Sequence, residues 1–345
     1  MRDLCQYTLE ELELRFIAKG FKKFNARQVY EWLYKKKAAN LSEMTNISKG
    51  MRAYLEEYYF IGSLKVNTHQ VSGDGTEKYL FELSDGNLIE TVLMRHNYGN
   101  SVCVTTQLGC NIGCSFCASG LQKKKRDLSV EEIVLQVLEI EKISKERVSH
   151  IVVMGIGEPF DNYLNTMKFV DIVNNPYGLE IGARHITIST SGLVPKIREF
   201  ADREKQVNLA ISLHAPNDAL RREIIPWAEF STVDELLDAC DEWFTRTGRE
   251  ITLEYILLGG VNDRPEHAEE LAFHAQRIHA NVNLIRYNEV RGMPYQRPST
   301  EDVLRFQNIL RQREVNVHIR ASRGRDIAAA CGQLRHEHAS SVRAL

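Results

Sequence analysis

The sequence predicts an α/β fold in which a parallel sheet closes partly into a barrel, a TIM-like (βα)6 arrangement. Between residues 98 and 320, short apolar runs alternate with amphipathic stretches in strand-then-helix order. Such units form sheets or barrels whose reactive residues lie where strands run out into loops. The motifs of chemical interest in this chain fall at those points. The predicted strands are 101–107, 148–154, 185–189, 207–213, 251–257, 282–285 and 315–320, and the predicted helices are 129–145, 164–173, 195–201, one from 233, 266–278 and 300–313.

The first residues predict a small helical domain over residues 1–62, ahead of the barrel. Thr8 and Ser48 are typical N-cap residues, and each precedes a stretch with apolar residues at helical spacing. A further helix is expected over residues 26–37. These segments predict a three-helix packing module.

A two-residue period from Leu64 predicts a β-hairpin that links the helical domain to the barrel. Its strands are expected at residues 75–83 and 88–94, on either side of a turn over residues 84–87. The predicted boundaries are 63–97 for the hairpin linker, 98–320 for the barrel and 321–345 for a C-terminal loop and tail.

The composition predicts a globular protein with one large core and a small accessory domain. The chain has 345 residues, 43% of them hydrophobic, and ~100 to 200 residues per domain is usual. No apolar run approaches the ~20 residues that span a bilayer, and no signal peptide is evident, so we expect a cytoplasmic protein. Seven cysteines in so long a chain do not suggest a disulfide scaffold.

Charge is distributed unevenly along the chain. The formal net charge is −2, but residues 1–62 carry 11 basic and 8 acidic residues, and residues 316–345 carry 5 basic and 2 acidic ones. Each end is therefore +3 and the middle −8. Basic ends suit a protein that binds phosphate groups, although basic stretches of sequence are more often solvent-exposed faces without a ligand.

The most informative motif is a C-x3-C-x2-C triad formed by Cys110, Cys114 and Cys117. Three thiolates ligate three corners of a four-iron cluster and leave one iron open. An open iron can bind S-adenosylmethionine through its amine and carboxylate, and an electron delivered there can break a carbon–sulfur bond. The triad therefore predicts a radical enzyme.

A zinc site is the alternative interpretation of the triad. Structural zinc normally has four ligands, often from two short paired motifs. This chain has no second C-x2-C, and Cys5 and Cys240 lie in unrelated segments. The iron–sulfur interpretation therefore accounts better for the spacing.

Several further segments accompany the triad and Phe116. They are Cys103, Met154–Pro159, Ser189–Gly192, Ser212–His214 and Ala330–Leu334. Together these segments resemble the RlmN/Cfr group of RNA adenosine methyltransferases in the radical SAM superfamily, from about residue 20 to residue 335.

The resemblance implies a [4Fe-4S] cluster held by Cys110, Cys114 and Cys117, and two molecules of S-adenosylmethionine per turnover. Taken alone, a G-x-G turn after a strand is more often just a tight turn, and a lone strand-end histidine is more often structural. By the resemblance, the residues expected to contact S-adenosylmethionine are Gly157, Glu158, Ser189, Ser212, Leu213, His214 and Asn288.

The resemblance also implies that Cys331 is the methyl carrier, although a cysteine in an alanine-rich segment is otherwise usually a core residue. One S-adenosylmethionine would methylate Cys331, and a second would give a radical that takes hydrogen from the S-methyl group. The resulting methylene would add to adenine. Attack by Cys103 on the sulfur of Cys331 would release the product and leave a disulfide for a cellular reductant. Glu90 matches the family's proton acceptor.

Positive charge flanks the predicted site. The run Lys123-Lys124-Lys125-Arg126 follows the cysteine triad, and Arg320, Arg323 and Arg325 approach Cys331. These residues suit an RNA backbone that delivers one extruded base, because a stacked adenine cannot reach a buried radical. The family's amino-terminal domain, which residues 24–28 and 43–48 resemble, implies a further RNA contact, and residues 292–295 are expected to help cover the base.

Some positions depart from the family pattern. The chain has Trp227-Ala228 where the family generally has Ile-Asn, and Ala328 replaces a common Asp. Arg286-Tyr287-Asn288 resembles the Cfr branch, whereas Pro159 is typical of the RlmN branch. The choice between C2 and C8 of adenine, and between ribosomal RNA alone and transfer RNA as well, therefore stays open.

The sequence as a whole predicts methylation of an adenosine of 23S ribosomal RNA, most simply at C2, with an electron donor for the cluster as a partner. Methylation at C8, with resistance to ribosome-targeting antibiotics, is the alternative within the family. Outside it stand a non-catalytic, metal-containing RNA-binding protein and a radical enzyme with another substrate. The pair Cys103 and Cys331 argues against the last, because hydrogen abstraction alone needs neither.

Overall fold

The computed structural model describes residues 1–203, 206–290, 292–321, 323–324 and 326–327. The predicted methyl carrier Cys331, together with Arg325 and Ala328, lies outside the described residues. No helix among the described residues is both long enough and apolar enough to cross a membrane.

In the part of the chain that the structure describes, the core is a ten-stranded sheet flanked by helices. Seven consecutive strands of this sheet are parallel, and the two outermost strands do not pair with each other among the described residues, so the barrel is partial. The strands are β1 (Arg2–Asp3), β2 (Tyr59–Phe60), β3 (Lys65–Val71), β4 (Glu77–Glu82), β5 (Leu88–His96), β6 (Gly99–Cys103), β7 (Gln107–Leu108), β8 (Arg126–Asp127), β9 (Val148–Val153), β10 (Ile186–Thr190), β11 (Asn208–Ser212), β12 (Thr252–Leu257), β13 (Asn281–Arg286) and β14 (Val317–Arg320). The helices are α1 (Leu9–Ile17), α2 (Lys23–Tyr34), α3 (Lys49–Tyr58), α4 (Val130–Ser144), α5 (Tyr163–Asn174), α6 (Val194–Ala201), α7 (Asp218–Ile224), α8 (Val233–Thr247), α9 (Pro265–Arg277) and α10 (Thr300–Gln312).

The parallel strands follow the order β6-β9-β10-β11-β12-β13-β14, each joined to the next through helix. This order confirms the predicted (βα)6 series. Side chains alternate between the faces of each strand. On β10, Ile186 and Ile188 are fully buried, whereas Thr187 and Ser189 are only half-buried on the opposite face. One face of the sheet is therefore an apolar core, and the other presents polar groups to the barrel interior.

The antiparallel strands β3, β4 and β5 extend the same sheet beyond β6. The predicted hairpin between β4 and β5 is confirmed, with Glu82 opposite Leu88 and the Leu83 N–H donating to the Asn87 carbonyl at 2.8 Å. Strand β3 was not predicted from the sequence. Its residues are exposed or half-buried throughout, so no apolar alternation marks the strand.

The amino-terminal helices confirm the predicted module. Thr8 caps α1 in a capping box with Glu11, and Ser48 caps α3 by accepting from the Met51 N–H. The second helix begins three residues earlier than predicted. The Asn25 side chain accepts a hydrogen bond from the Lys22 N–H at 3.1 Å and stabilises that earlier start.

One element that matters for the site was absent from the sequence analysis. Helix α7 has only seven residues and lies between β11 and α8. The Ile224 carbonyl at its end accepts a hydrogen bond from the Ser115 N–H at 3.0 Å. This helix therefore packs directly on the loop that carries the cysteine triad.

Candidate active site

A cavity of about 370 Å³ opens at the carboxyl ends of the parallel strands. Its wall includes residues from the ends of β9, β10, β11, β12, β13 and β14 and from the loop after β7. The site residues predicted from the sequence that line it are Cys110, Cys114, Cys117, Gly157, Glu158, Ser189, Ser212, His214 and Asn288. Residues scattered over nearly 180 positions of sequence therefore meet at one place.

The cysteine loop is closed by backbone hydrogen bonds. The Cys117 N–H donates to the Cys114 carbonyl at 3.2 Å, and the Cys110 N–H donates to the Gln122 carbonyl at 3.0 Å. Gly109 has φ +85°, and a Cβ there would lie 2.4 Å from the Lys123 carbonyl oxygen. Only glycine fits that turn.

The three thiols are half-buried and gather on one side of the cavity. Burial raises the pKa of Cys110 to about 12 and that of Cys114 well above its usual value. Thiolate at these positions therefore requires compensating positive charge, which a metal centre supplies. Within the described residues, no three acidic, cysteine or histidine side chains converge on one ion. The ligands of a four-iron cluster bind separate irons and need not converge.

Four buried polar atoms in the cavity wall have no hydrogen-bond partner among the described residues. They are the hydroxyls of Thr76, Ser119 and Ser191 and the Oε2 atom of Glu254. Buried polar atoms normally have partners, and the cavity volume lies in the range of small-molecule sites. The cavity therefore fits a polar cofactor beside the cysteine loop.

Glu158 joins two loops of the cavity wall. Its Oε1 accepts from the Phe160 N–H at 3.0 Å, and its Oε2 accepts from the Ser191 N–H at 2.7 Å. Burial raises the pKa of this carboxyl, and the backbone donors oppose that change. Because both oxygens already accept hydrogen bonds, the side chain aligns the ends of β9 and β10.

His214 and the two serines form the next part of the wall. The Ile256 N–H donates to His214 Nδ1 at 3.1 Å, so the neutral ring carries its proton on Nε2. Burial, and secondarily the charge of Arg221, lowers the pKa of His214 to about 3. The hydroxyls of Ser189 and Ser212 lie 3.1 Å apart. This wall offers both donors and acceptors to a ligand.

A loop after β13 covers the cysteine side of the cavity. Asn288 accepts from Arg297 Nη1 through its Oδ1 at 2.7 Å, which orients its amide NH2 group. The Tyr295 and Ser115 hydroxyls are 2.6 Å apart. The predicted covering segment thus contacts the cysteine loop itself.

Leu213 does not line the cavity. Its side chain is fully buried in the main core, and its N–H donates to the Glu254 carbonyl at 3.1 Å. Its expected contact with S-adenosylmethionine therefore has no side-chain support. The Leu213 carbonyl accepts a hydrogen bond from Arg221 Nε at 3.3 Å.

Cys103 and Glu90 share a sheet face with residues of the cavity wall. Cys103 lies directly opposite Val92, and Glu90 is two residues from Val92 on β5. Directly paired residues and alternate residues of a strand point to the same face, and Val92 lines the cavity. The structure thus brings both predicted catalytic residues to the barrel interior.

The basic residues near the site fall into three groups. Lys124 contacts Asp127 and Asp161, and Arg126 contacts Asp85 and Glu132, so these two charges are neutralised locally. Lys123 and Lys125 alternate with them and are exposed. Arg320 and Arg323 line the cavity.

Three charged residues at the site were not predicted from the sequence. Lys78 is fully buried and pairs with Glu90, Glu254 lines the cavity, and Arg221 is buried behind it. Lys78 and Glu254 each stand at an inward position of a strand, which is the signal that could have found them. Nothing local marks Arg221, because its burial depends on packing between distant segments.

Comparisons with known proteins agree with this geometry. Residues 104–272 match the Radical SAM superfamily, and residues 2–61 match the ribosomal RNA large subunit methyltransferase N-terminal domain. The crystal structure of a radical SAM methyltransferase from Sphaerobacter thermophilus superposes with a TM-score of 0.91 at 43% identity, covering 96% of this chain and 99% of that one.

Sequence relatives extend the likeness over nearly the whole chain. A protein of Enterococcus faecalis named probable dual-specificity RNA methyltransferase RlmN is 56% identical over 336 residues, which cover 95% of this chain and 94% of that protein. A Bacillus subtilis protein of the same name is 50% identical, covering 96% and 92%. The partial barrel and its cysteine-lined cavity define a radical SAM protein. Within that class, the chain belongs to the RlmN family.

Proposed function

We propose that this chain methylates C2 of an adenosine in 23S ribosomal RNA, with Cys331 as the methyl carrier, and that it does so in the cytoplasm. The shared name of the relatives supports RNA as the substrate, and its words "dual-specificity" support a second RNA, for which transfer RNA is our candidate. The observation that carries the proposal is the single cavity that joins the cysteine triad to Ser189, Ser212, His214 and Asn288.

The residues proposed to hold the cofactors line one cavity. Cys110, Cys114 and Cys117 would bind a [4Fe-4S] cluster through their sulfur atoms. The proposed S-adenosylmethionine site runs from the loop over residues 155–158 along the strand ends. Both Glu158 carboxylate oxygens already accept hydrogen bonds from backbone N–H groups. We therefore propose that the cofactor's amino group donates its hydrogen bonds to backbone carbonyls of residues 155–158.

Together the two cofactors supply one-electron chemistry, which suits an aromatic carbon that is too weak a nucleophile to take a methyl cation. In our proposal each turnover uses two S-adenosylmethionine molecules, one for the methyl group and one for the radical. Glu90 accepts the proton lost from the modified carbon. Cys103 would then attack the sulfur of Cys331, so that the sulfur–carbon bond breaks as the disulfide forms and the RNA is released. One hydrogen of the S-methyl group leaves with the radical, one proton goes to Glu90, and the remaining electron of the adduct would return to the cluster. A cellular reductant must reopen the disulfide. An electron donor for the cluster completes the set of partners.

The predicted division of the chain assigns RNA contacts to both ends. The match of residues 2–61 to an N-terminal methyltransferase domain supports an accessory role in RNA binding for residues 1–62. Arg320 and Arg323, on the cavity wall near the start of the C-terminal segment, supply positive charge where the extruded base would enter.

Methylation at C8 is the second candidate. Arg286-Tyr287-Asn288, which resembles the Cfr branch, favours it. The name RlmN, shared by relatives that are 50% and 56% identical, favours C2.

The test is methylation of a 23S ribosomal RNA fragment by anaerobically reconstituted protein, with the digested nucleosides compared with 2-methyladenosine and 8-methyladenosine standards. We expect 2-methyladenosine from the wild type and from Cys240→Ala, which changes a buried cysteine of α8. Cys331→Ala should retain its iron and form no product. Product from Cys331→Ala would refute the methyl-carrier role, and 8-methyladenosine would select the second candidate. Iron without cleavage of S-adenosylmethionine would instead indicate the non-catalytic RNA-binding protein.

A further inference from the structure

Among the described residues, Arg221 is a buried cation without a carboxylate partner. Its side chain lies on α7 and is 1% exposed. Its Nε donates to the Leu213 carbonyl and its Nη2 to the Ser191 carbonyl. Both acceptors are neutral, and the guanidinium has no salt bridge among the described residues. A buried charge is normally paired, because desolvation costs several kcal/mol per ion.

An acidic side chain of the same helix, that of Asp218, is already engaged elsewhere. Asp218 lies one turn earlier on α7, where its Oδ1 accepts from the Val233 N–H at 2.8 Å. Burial lowers the pKa of Arg221 to about 10, and among the groups that oppose this change the Cys114 thiol acts most strongly and Asp218 follows.

Packing holds Arg221 beside the cysteine loop. Three residues further along α7, Ile224 binds Ser115 through its carbonyl, and its side chain packs in one buried cluster with Ile112 and Phe116. Cys110, Cys114 and Cys117 pack against that same cluster. Helix α7, which carries Arg221, is therefore packed against the loop of the triad, and Arg221 is not among the residues of the cavity wall.

We propose that Arg221 is the fixed counter-charge of the iron–sulfur cluster and that it raises the midpoint potential of that cluster. The inference rests on the proposed cluster site at the cysteine triad. Three thiolates make a ligated cluster anionic, and a one-electron reduction adds a further negative charge. A cation held in a low-dielectric environment stabilises the reduced form more than the oxidised form. The cluster in turn supplies the negative charge that the described residues do not give Arg221.

The experiment compares Arg221→Gln and Arg221→Lys with Arg222→Gln, which removes the neighbouring exposed charge of the same helix. Each full-length protein is reconstituted anaerobically, its iron and sulfide are measured, and the cluster is titrated by electron paramagnetic resonance against potential. We expect a lower midpoint potential in Arg221→Gln, a smaller shift in Arg221→Lys and no shift in Arg222→Gln.

Each outcome decides the inference. Equal potentials for loaded Arg221→Gln and Arg222→Gln overturn it. Arg221→Gln could be folded, as judged by circular dichroism, and yet bind no iron, while Arg221→Lys binds the full amount. That result supports the inference, because cluster binding itself then requires a positive charge at position 221. If both Arg221 variants lose their iron, the inference is overturned. Arg221 then has only a structural role, in which it links the Leu213 and Ser191 carbonyls. Absence of iron from the wild type refutes the cluster site itself, which is a different result.

Discussion

Lys78 Nζ and Glu90 Oε2 lie 3.0 Å apart in an ion pair whose two side chains are 0% and 3% exposed. The pair connects β4 to β5 on the sheet face that also carries Val92 and Cys103. Lys78 therefore fixes the carboxylate that we propose as proton acceptor.

Removing one member of this pair should be costly. Lys78→Met leaves Glu90 buried without its cation, and we expect the free energy of unfolding to fall by about 3 to 5 kcal/mol. The control is Lys65→Met, which breaks the exposed pair between Lys65 and Glu82, 3.1 Å apart, and should cost about 1 kcal/mol or less. Urea denaturation measures both. Similar losses in the two variants would contradict the structural role of the buried pair.

Gly109→Ala should disrupt the cysteine loop. The substitution places a methyl group against the Lys123 carbonyl in a left-handed backbone conformation, and the conformation alone costs ~1 to 2 kcal/mol. We expect much reduced iron content after anaerobic reconstitution. Gly86→Ala is the matched control, because Gly86 has φ +77° but open space around it. A Gly109→Ala protein with full iron content would show that the close approach is unnecessary.

The stability of the cofactor-free protein should fall in acid through His214. Its pKa is about 3 in the folded state against 6.5 as the ordinary value, so the unfolded chain binds more protons between these pH values. Stability contributed by the neutral ring is therefore lost as pH falls below 6.5, by about 2 kcal/mol at pH 5.

The test for this pH effect is His214→Asn, since asparagine tolerates the left-handed backbone of His214, φ +59°. The difference in unfolding free energy between wild type and variant should shrink from pH 7 to pH 5. A difference that is constant with pH would show that His214 titrates normally in the folded protein.

RNA binding should depend on the exposed lysines of the basic run and not on its whole charge. Lys123 and Lys125 are exposed, and Lys125 contacts the neutral Asn87 side chain. Lys123→Gln with Lys125→Gln should weaken RNA binding and lower the slope of log affinity against log salt by about 0.7 per lost contact. The control is Lys196→Gln on α6, which should leave the slope unchanged. An unaltered slope in the double variant would exclude this run from the interface.

Much of the fold could be predicted because its determinants are local. The capping box of Thr8 and Glu11 and the alternation along β10 are visible in consecutive residues. The seven residues of α7 are too few to show a helical period, and β3 lacks an apolar face.

The site was predictable only in part, for a physical reason. The cysteine triad is a compact motif, and family resemblance supplied the strand-end residues, so most of the predicted set lines one cavity. Lys78 and Arg221 were missed because burial of a charge depends on partners from other segments. The charge of Lys78 is compensated by Glu90, and the burial of Arg221 depends on packing between α7 and the cysteine loop.

The most direct test of the central claim uses S-adenosylmethionine with a trideuterated methyl group and a 23S ribosomal RNA fragment. If Cys331 carries the methyl group and loses a hydrogen before the carbon reaches adenine, the product measured by mass spectrometry must retain two deuterium atoms. A product with three deuterium atoms would mean direct methyl transfer and would contradict the account.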